Sequence, residues 1–81
     1  MTTKIRMIVE KYSDGTAALF AQEPNQMSIP IEDGLEPDVA QMSAEEMAVE
    51  NGILKPNFIS TWSPSTEKTI LFGPWFNFAH P

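Results

Sequence analysis

The dipeptide Asp14-Gly15 lies between two runs of β-forming residues and constrains the fold more than any other feature of the sequence. Lys4 to Tyr12 is rich in β-branched and large apolar residues, and Thr16 to Gln22 is a second apolar run. Asp and Gly tolerate the positive φ that a tight turn requires. The pattern therefore predicts a β-hairpin at the start of the chain.

The register of this hairpin is left open by the sequence. A two-residue turn would place Val9 opposite Phe20. A three-residue loop of Ser13-Asp14-Gly15 with a bulge would instead place Val9 opposite Leu19. Both loops are compatible with the residues present, so the sequence predicts the hairpin without deciding which side chains face each other.

Further segments have the composition of short strands. Met27–Ile31 alternates apolar with small residues, and its Pro30 has no backbone N–H, so we expect this strand at a sheet edge. The turn signal Glu32-Asp33-Gly34 follows, and residues 35–40 are predicted to form an acidic loop. Later in the chain the pattern predicts strands at Phe58–Trp62, Glu67–Phe72 and Trp75–Phe78.

One short helix is predicted at about residues 43–51. Ser43 and Glu46 have the spacing of a capping box, in which each side chain accepts a hydrogen bond from the other residue's backbone N–H. Asn51-Gly52 supplies a stop signal, since glycine readily takes the left-handed conformation found after helices. A helix this short is marginal alone and requires packing against the sheet.

These elements predict a single α+β domain over residues 1–81, with a mostly antiparallel sheet of four to six short strands and one short helix. A chain of this length holds one core. It contains no cysteine, which favours a reducing compartment. Charged residues interrupt the first apolar stretch, and no apolar run approaches the roughly 18 residues of a membrane span, so we expect a soluble cytoplasmic protein without a signal peptide.

Charge is distributed unevenly along the chain. Residues 12–54 contain nine acidic residues and no lysine or arginine, and the whole chain has a net charge of −6. Such a segment repels phosphates and anionic lipids, so we expect no direct binding to nucleic acid or membranes. Either the carboxylates only solubilise the protein, or they form an acidic face that steers a basic partner. That face would comprise Glu32, Asp33, Glu36, Asp38, Glu45 and Glu46.

Six of the eight aromatic residues lie between positions 58 and 78. Most are expected in the core, because a small domain needs the burial of about 150–250 Å² that each aromatic provides. Trp75 and Phe76 are adjacent, so in a strand they point to opposite faces. One of the two would then be free to anchor a partner. His80 follows this cluster and is expected at the surface or in packing.

Patterns for catalysis and metal binding are weak. One histidine and no cysteine leave too few ligands for a zinc site. A Ser-His-Asp arrangement would depend on His80, one residue from the end. The paired carboxylates are better explained as solvated or capping groups than as a glycosidase pair. Glu32 to Asp38 offers oxygen ligands for Ca²⁺ but lacks the spacing of an EF-hand loop. We predict no catalytic residues, no metal and no cofactor.

The sequence therefore favours a small acidic, non-enzymatic protein that binds and inhibits or modulates a larger protein with a basic surface. If that surface is a groove that normally holds nucleic acid, the carboxylates would imitate phosphates, in the manner of small inhibitors carried by phages and other mobile elements. Trp75 and Phe76 are the expected aromatic anchors. The alternative is a structural or assembly subunit that pairs through its aromatic C-terminal segment. The protein is expected to be a monomer or a homodimer.

Overall fold

The structure is a computed structural model that describes residues 2–79, so His80 lies outside the described residues. Within residues 2–79, every pair of neighbouring strands is antiparallel, in one six-stranded sheet with a single helix. The predicted α+β class is therefore confirmed. The elements in chain order are β1 (Thr2–Tyr12), β2 (Ala17–Gln22), β3 (Ile29–Leu35), α1 (Pro37–Glu50), β4 (Ile59–Ser63), β5 (Lys68–Phe72) and β6 (Phe76–Ala79).

The hairpin of β1 and β2 uses the three-residue loop, and Val9 lies opposite Leu19. The backbone N–H of Tyr12 donates to the carbonyl of Thr16 at 2.9 Å, and the N–H of Gly15 donates to the carbonyl of Tyr12 at 3.2 Å. Gly15 has a φ of +91°, which a glycine adopts without strain. The structure thus selects the bulged register from the two that the sequence left open.

The long strand β1 lies at the centre of the sheet. It pairs with β2 on one side, and with β5 and then β6 along the other. The order of the main path is β3-β2-β1-β5-β4, so β3 and β4 are the edge strands of this path, and β6 lies off it with β1 as its one partner among the described strands. Each of β4, β5 and β6 begins one residue later than the sequence predicted.

The prediction for β3 was wrong at both ends. The strand begins at Ile29 and continues through Glu32-Asp33-Gly34, which the sequence predicted as a turn. The pairing with β2 shifts register on both sides of Leu19, and Gly34 has a φ of +68°. These irregularities let the chain bend while it stays in the sheet. Pro30 lies in this edge strand, where its missing N–H costs least.

The predicted start of the helix was also wrong. Helix α1 begins at Pro37, so the segment predicted as an acidic loop forms its first turn, and Ser43 lies inside the helix. Proline is favoured at a first helical position, because its fixed φ suits the helix and no N–H is lost there. Glu36 is the N-terminal flanking residue with extended backbone, and its side chain makes no capping hydrogen bond. Asp38 instead places a carboxylate in the first turn, at the positive end of the helix dipole.

The predicted helix stop is confirmed. Gly52 has a φ of +98°, and its N–H donates to the carbonyl of Val49 at 3.1 Å. The N–H of Ile53 donates to the carbonyl of Ala48 at 3.0 Å. These two hydrogen bonds form a Schellman motif, which satisfies carbonyl groups that the helix leaves without internal partners.

Strands β5 and β6 behave as one strand with a bulge. Phe72 lies opposite Ile8 and Phe76 lies opposite Ile5, so four steps along β5 and β6 match three steps along β1. The extra residue lies in Gly73-Pro74-Trp75, and the bulge reverses which face each following side chain occupies. Phe72 and Trp75 consequently share one face of the sheet.

Gly73 is held tightly at this bulge. Its N–H donates to the carbonyl of Met7 at 2.9 Å. A Cβ at this position would lie 2.8 Å from the ring of Phe58 and 2.9 Å from the Met7 carbonyl oxygen. Only glycine fits without movement of the backbone, so the close approach of these three residues fixes where β5 ends.

The sheet has two unlike faces. On one face α1 packs against β1 and β2 and completes the main core, whose buried members are Met7, Val9, Ala17, Leu19, Ala40, Ala44, Ala48, Leu71 and Phe76. On the other face Ile8 and Ala18 are buried, with Phe20, Ile70 and Phe72 half-buried around them. The helix therefore covers only one face of the sheet, over one half of its width.

Candidate partner-binding surfaces

Helix α1 has an unusual arrangement of apolar residues. The side that faces the sheet carries Ala40, Ala44 and Ala48, all fully or almost fully buried. Of the larger apolar residues, Met47 is half-buried against the core, whereas Val39, Met42 and Val49 lie on the outer side and are between 45 and 57% exposed. An amphipathic surface helix normally shows the opposite distribution. The outer side of α1 is thus an apolar stripe in contact with solvent.

Carboxylates surround this stripe. Glu45, Glu46 and Glu50 line an open, shallow hollow of about 400 Å³ together with Met42 and Val49. A neighbouring hollow has Asp38 and Gln41 beside the same Met42 and Glu45. We call this surface the helix patch; its members are Asp38, Val39, Met42, Glu45, Glu46, Val49 and Glu50.

The structure therefore brings together only part of the predicted acidic face. Asp38, Glu45 and Glu46 belong to the helix patch, and Glu36 immediately precedes the helix. Glu32 and Asp33 lie on the edge strand β3, both exposed. Their two carboxylates extend the negative charge along the edge of the sheet and line neither hollow.

Sequence reasoning missed the apolar members of this patch and also Glu50. Val39, Met42 and Val49 recur with the helical period, so a predicted helix starting at Pro37 would have placed all three on one side. The signal was present but was divided between a predicted loop and a predicted helix.

A second group of charges lies at the hairpin end of the sheet. One Glu10 carboxylate oxygen accepts hydrogen bonds from the Tyr12 hydroxyl at 3.0 Å and from the Lys68 ammonium at 2.9 Å. In the turn, the Thr16 hydroxyl and backbone N–H donate to Asp14 at 2.7 and 2.9 Å and hold the pKa of that carboxyl below its usual value. This end of the sheet is ordered by polar contacts between adjacent strands.

Tyr12, the only tyrosine, reports on the negative charge near it. Burial, the hydrogen bond to Glu10 and the negative charges of Glu10, Asp33 and Asp14 raise its pKa from 10.0 to about 12. The stabilisation from the neutral phenol is fully present below pH 10.0 and decreases as pH rises toward 12, because the unfolded chain releases the proton first.

We therefore expect the phenolate absorbance of the native protein to titrate well above that of the chain in urea. Glu10→Gln should lower the pKa of Tyr12, because it removes a nearby negative charge and replaces a charged hydrogen-bond acceptor with a neutral one. Asp33→Asn should lower the pKa by less. A native titration that coincides with the titration in urea would contradict the arrangement of charges at this end of the sheet.

The two predicted aromatic anchors lie in different environments. Phe76 is 3% exposed and belongs to the main core, whereas Trp75 is 36% exposed. The guanidinium of Arg6 lies over both Trp75 and Phe72, 4.6 and 4.8 Å from the ring centres. Its Nε donates to the side-chain carbonyl of Gln22 at 2.8 Å. Of the predicted pair, only Trp75 presents surface, and it is held by a cation–π contact.

Trp62, which the sequence analysis did not propose as an anchor, is more exposed than Trp75. It lies in the edge strand β4 with 57% of its surface accessible, and Ile59 in the same strand is 65% exposed. A strand of five residues placed at an edge cannot bury both of its faces, which explains why these side chains remain accessible.

Comparison with known proteins gave no matching family model, no matching curated protein and no matching solved structure. Within residues 2–79, no three acidic or histidine side chains are grouped so that they could hold a metal ion. The single helix of this part of the chain is too short and too polar to cross a bilayer.

Proposed function

We propose that this chain is a non-enzymatic, cytoplasmic protein that inhibits or modulates a larger protein, and that it binds this partner through the helix patch. The observation that carries the proposal is the solvent-facing stripe of Val39, Met42 and Val49 on a helix whose fully buried residues are all alanines. Contiguous exposed apolar surface rimmed by polar groups is typical of interaction sites.

The chemistry of the patch defines the chemistry of its partner. Four carboxylates border the stripe, from Asp38, Glu45, Glu46 and Glu50. None of these four carboxylates forms a salt bridge with another described residue. The one ion pair within residues 2–79 joins Lys68 to Glu10. A partner with a basic rim around an apolar centre would neutralise this charge and cover the stripe, as in recognition of an amphipathic helix by a groove.

The apolar centre also discriminates between two kinds of basic partner. A groove built for nucleic acid is lined by cations that contact phosphates along its length. Such a groove would use the carboxylates but leave Met42 and Val49 without apolar contacts. A protein groove with both apolar and basic residues uses the whole patch, so we favour it over a groove built for nucleic acid.

The C-terminal aromatic segment receives less support as a pairing surface. Phe76 is buried in the main core, and Phe78 packs against the same cluster. A contact made by this segment would have to use Trp75 and Asn77, which project from the opposite face. We therefore place the contact with the partner at the helix patch.

A defined ligand tests this proposal. We expect an amphipathic peptide of leucine and lysine to bind the native protein at low salt and to shift the backbone amide resonances of the helix patch. The double variant Glu45→Lys, Glu46→Lys should weaken this binding at least about tenfold. Met42→Ser, Val49→Ser should weaken it as well, because the apolar stripe is shortened.

Matched controls separate a specific site from general negative charge. Glu32→Lys, Asp33→Lys changes the net charge by the same amount on the edge strand β3, and we expect it to weaken binding by less than about threefold. Polylysine of equal charge should bind more weakly than the amphipathic peptide. Equal losses from the two charge reversals, or equal affinity for polylysine, would overturn the proposal.

A further inference from the structure

The strands at the two ends of the main strand order, β3 and β4, are protected to different degrees. Edge strand β3 contains Pro30, two shifts of register and the charged pair Glu32 and Asp33. Proline, bulges and charges are the devices by which proteins prevent another strand from pairing with an edge. Edge strand β4, with the sequence Ile-Ser-Thr-Trp-Ser, contains no charge, no proline and no glycine.

Strand β4 presents an accessible edge and two accessible apolar side chains. Within the described part of the chain, β5 is the only strand that pairs with it. Ile59 lies opposite Phe72, on the face away from the helix, and Trp62 lies opposite Thr69, on the helix side. Both are more than half exposed. A further strand at this edge would find unpaired backbone N–H and C=O groups, with Ile59 exposed on one face of the sheet and Trp62 on the other.

We propose that β4 pairs antiparallel with β4 of a second copy of this chain, so that the sheet continues across a two-fold axis. The proposal is independent of the function proposed for the helix patch. A register centred on Thr61 places Thr61 opposite its own copy, Ser60 opposite Trp62 and Ile59 opposite Ser63. Each large side chain then meets a small one, and no charges of the same sign oppose each other.

The distribution of charge explains why a second copy can occupy this edge although each chain has a net charge of −6. Helix α1 packs on β1 and β2, whereas β4 lies beyond β5 on the other side of the centre. Pairing at β4 therefore keeps the two acidic helix patches apart. Near β4, the positive Lys68 lies opposite Ser63, and its charge is already paired with Glu10.

The expected dimer is weak. A stable interface buries about 800 Å² on each partner, and an edge of five residues buries less. We expect a dissociation constant of roughly 10–100 µM. Added salt should not weaken the dimer, because the interface is uncharged and screening reduces the repulsion between the acidic chains. Binding at the helix patch should respond to salt in the opposite direction.

The test is sedimentation equilibrium of the full chain from about 10 µM to about 1 mM. We expect the mass to rise from monomer toward dimer, and Thr61→Lys to raise the dissociation constant at least about tenfold because two lysines would face each other. The matched control is Ile31→Lys on the exposed opposite edge, which should leave dimerisation unchanged.

A measurement on the native chain keeps the proposal testable if Thr61→Lys does not fold. Amide hydrogen exchange in Ile59–Ser63 should slow as the protein concentration rises, while exchange in β3 stays constant. A monomer at about 1 mM would overturn the proposal. So would dimerisation that Ile31→Lys abolishes, or protection that increases in β3 instead of β4.

Discussion

Phe76→Ala is expected to lower the free energy of unfolding by about 3–5 kcal/mol, the cost of removing a buried aromatic ring and leaving a cavity. Phe76 is 3% exposed and packs in the main core. A domain of this length has a total stability of about 4–12 kcal/mol, so the variant should approach the limit of folding. Thermal unfolding followed by circular dichroism should show a midpoint lower by at least about 12 °C.

The neighbouring residue supplies the control. Trp75→Ala removes a larger side chain, but one that is 36% exposed and lies beneath the Arg6 guanidinium. The loss should be smaller than that from Phe76→Ala, about 1–2 kcal/mol, because more than a third of the residue already lies in solvent. Equal losses from Phe76→Ala and Trp75→Ala would show that the bulge at Gly73-Pro74-Trp75 does not direct these side chains to different faces.

Features set by local sequence were predicted well. Asp14-Gly15 specified the hairpin, and Asn51-Gly52 specified the end of the helix, because both depend on the backbone preferences of a few adjacent residues. The register of Val9 against Leu19 was not decided locally. In the observed register both residues lie on the face that α1 covers. Packing of the helix therefore favours the three-residue loop over the two-residue turn.

The start of the helix shows why a strong local pattern can mislead. Ser43 and Glu46 have the spacing of a capping box, yet they lie inside α1. A start at Ser43 would leave Ala40 outside the helix. The observed start at Pro37 lets Ala40, Ala44 and Ala48 bury together against the sheet, and this tertiary gain outweighs the missing side-chain cap.

The error in the predicted helix start also limited what could be predicted of the candidate site. The charges of Asp38, Glu45 and Glu46 are evident in the sequence, and the structure groups them around one stripe. The stripe itself was not predicted, because exposure of Met42 and Val49 depends on which side of the helix meets the sheet. Three alanines and the half-buried Met47 occupy that side, so Val39, Met42 and Val49 are left to the solvent.

The small size of the buried alanines also determines how close the helix lies to the sheet. Ala44 is fully buried, and so is Ala17 on the strand below. The neighbouring core side chains are Met7, Val9 and Leu19. Because methyl groups hold the centre of this helix face and protein cores are close-packed, a longer side chain at position 44 would overpack the core.

We therefore expect Ala44→Leu to lower the free energy of unfolding by about 2–3 kcal/mol, because the added carbons would force the helix away from β1 and β2. The midpoint of thermal unfolding should decrease by about 10–20 °C. Glu46→Leu introduces the same side chain on the exposed side of the same helix and should change the stability by less than about 0.5 kcal/mol. If both leucines were tolerated equally, α1 would not pack through its alanines, and Val39, Met42 and Val49 could then face the sheet rather than a partner.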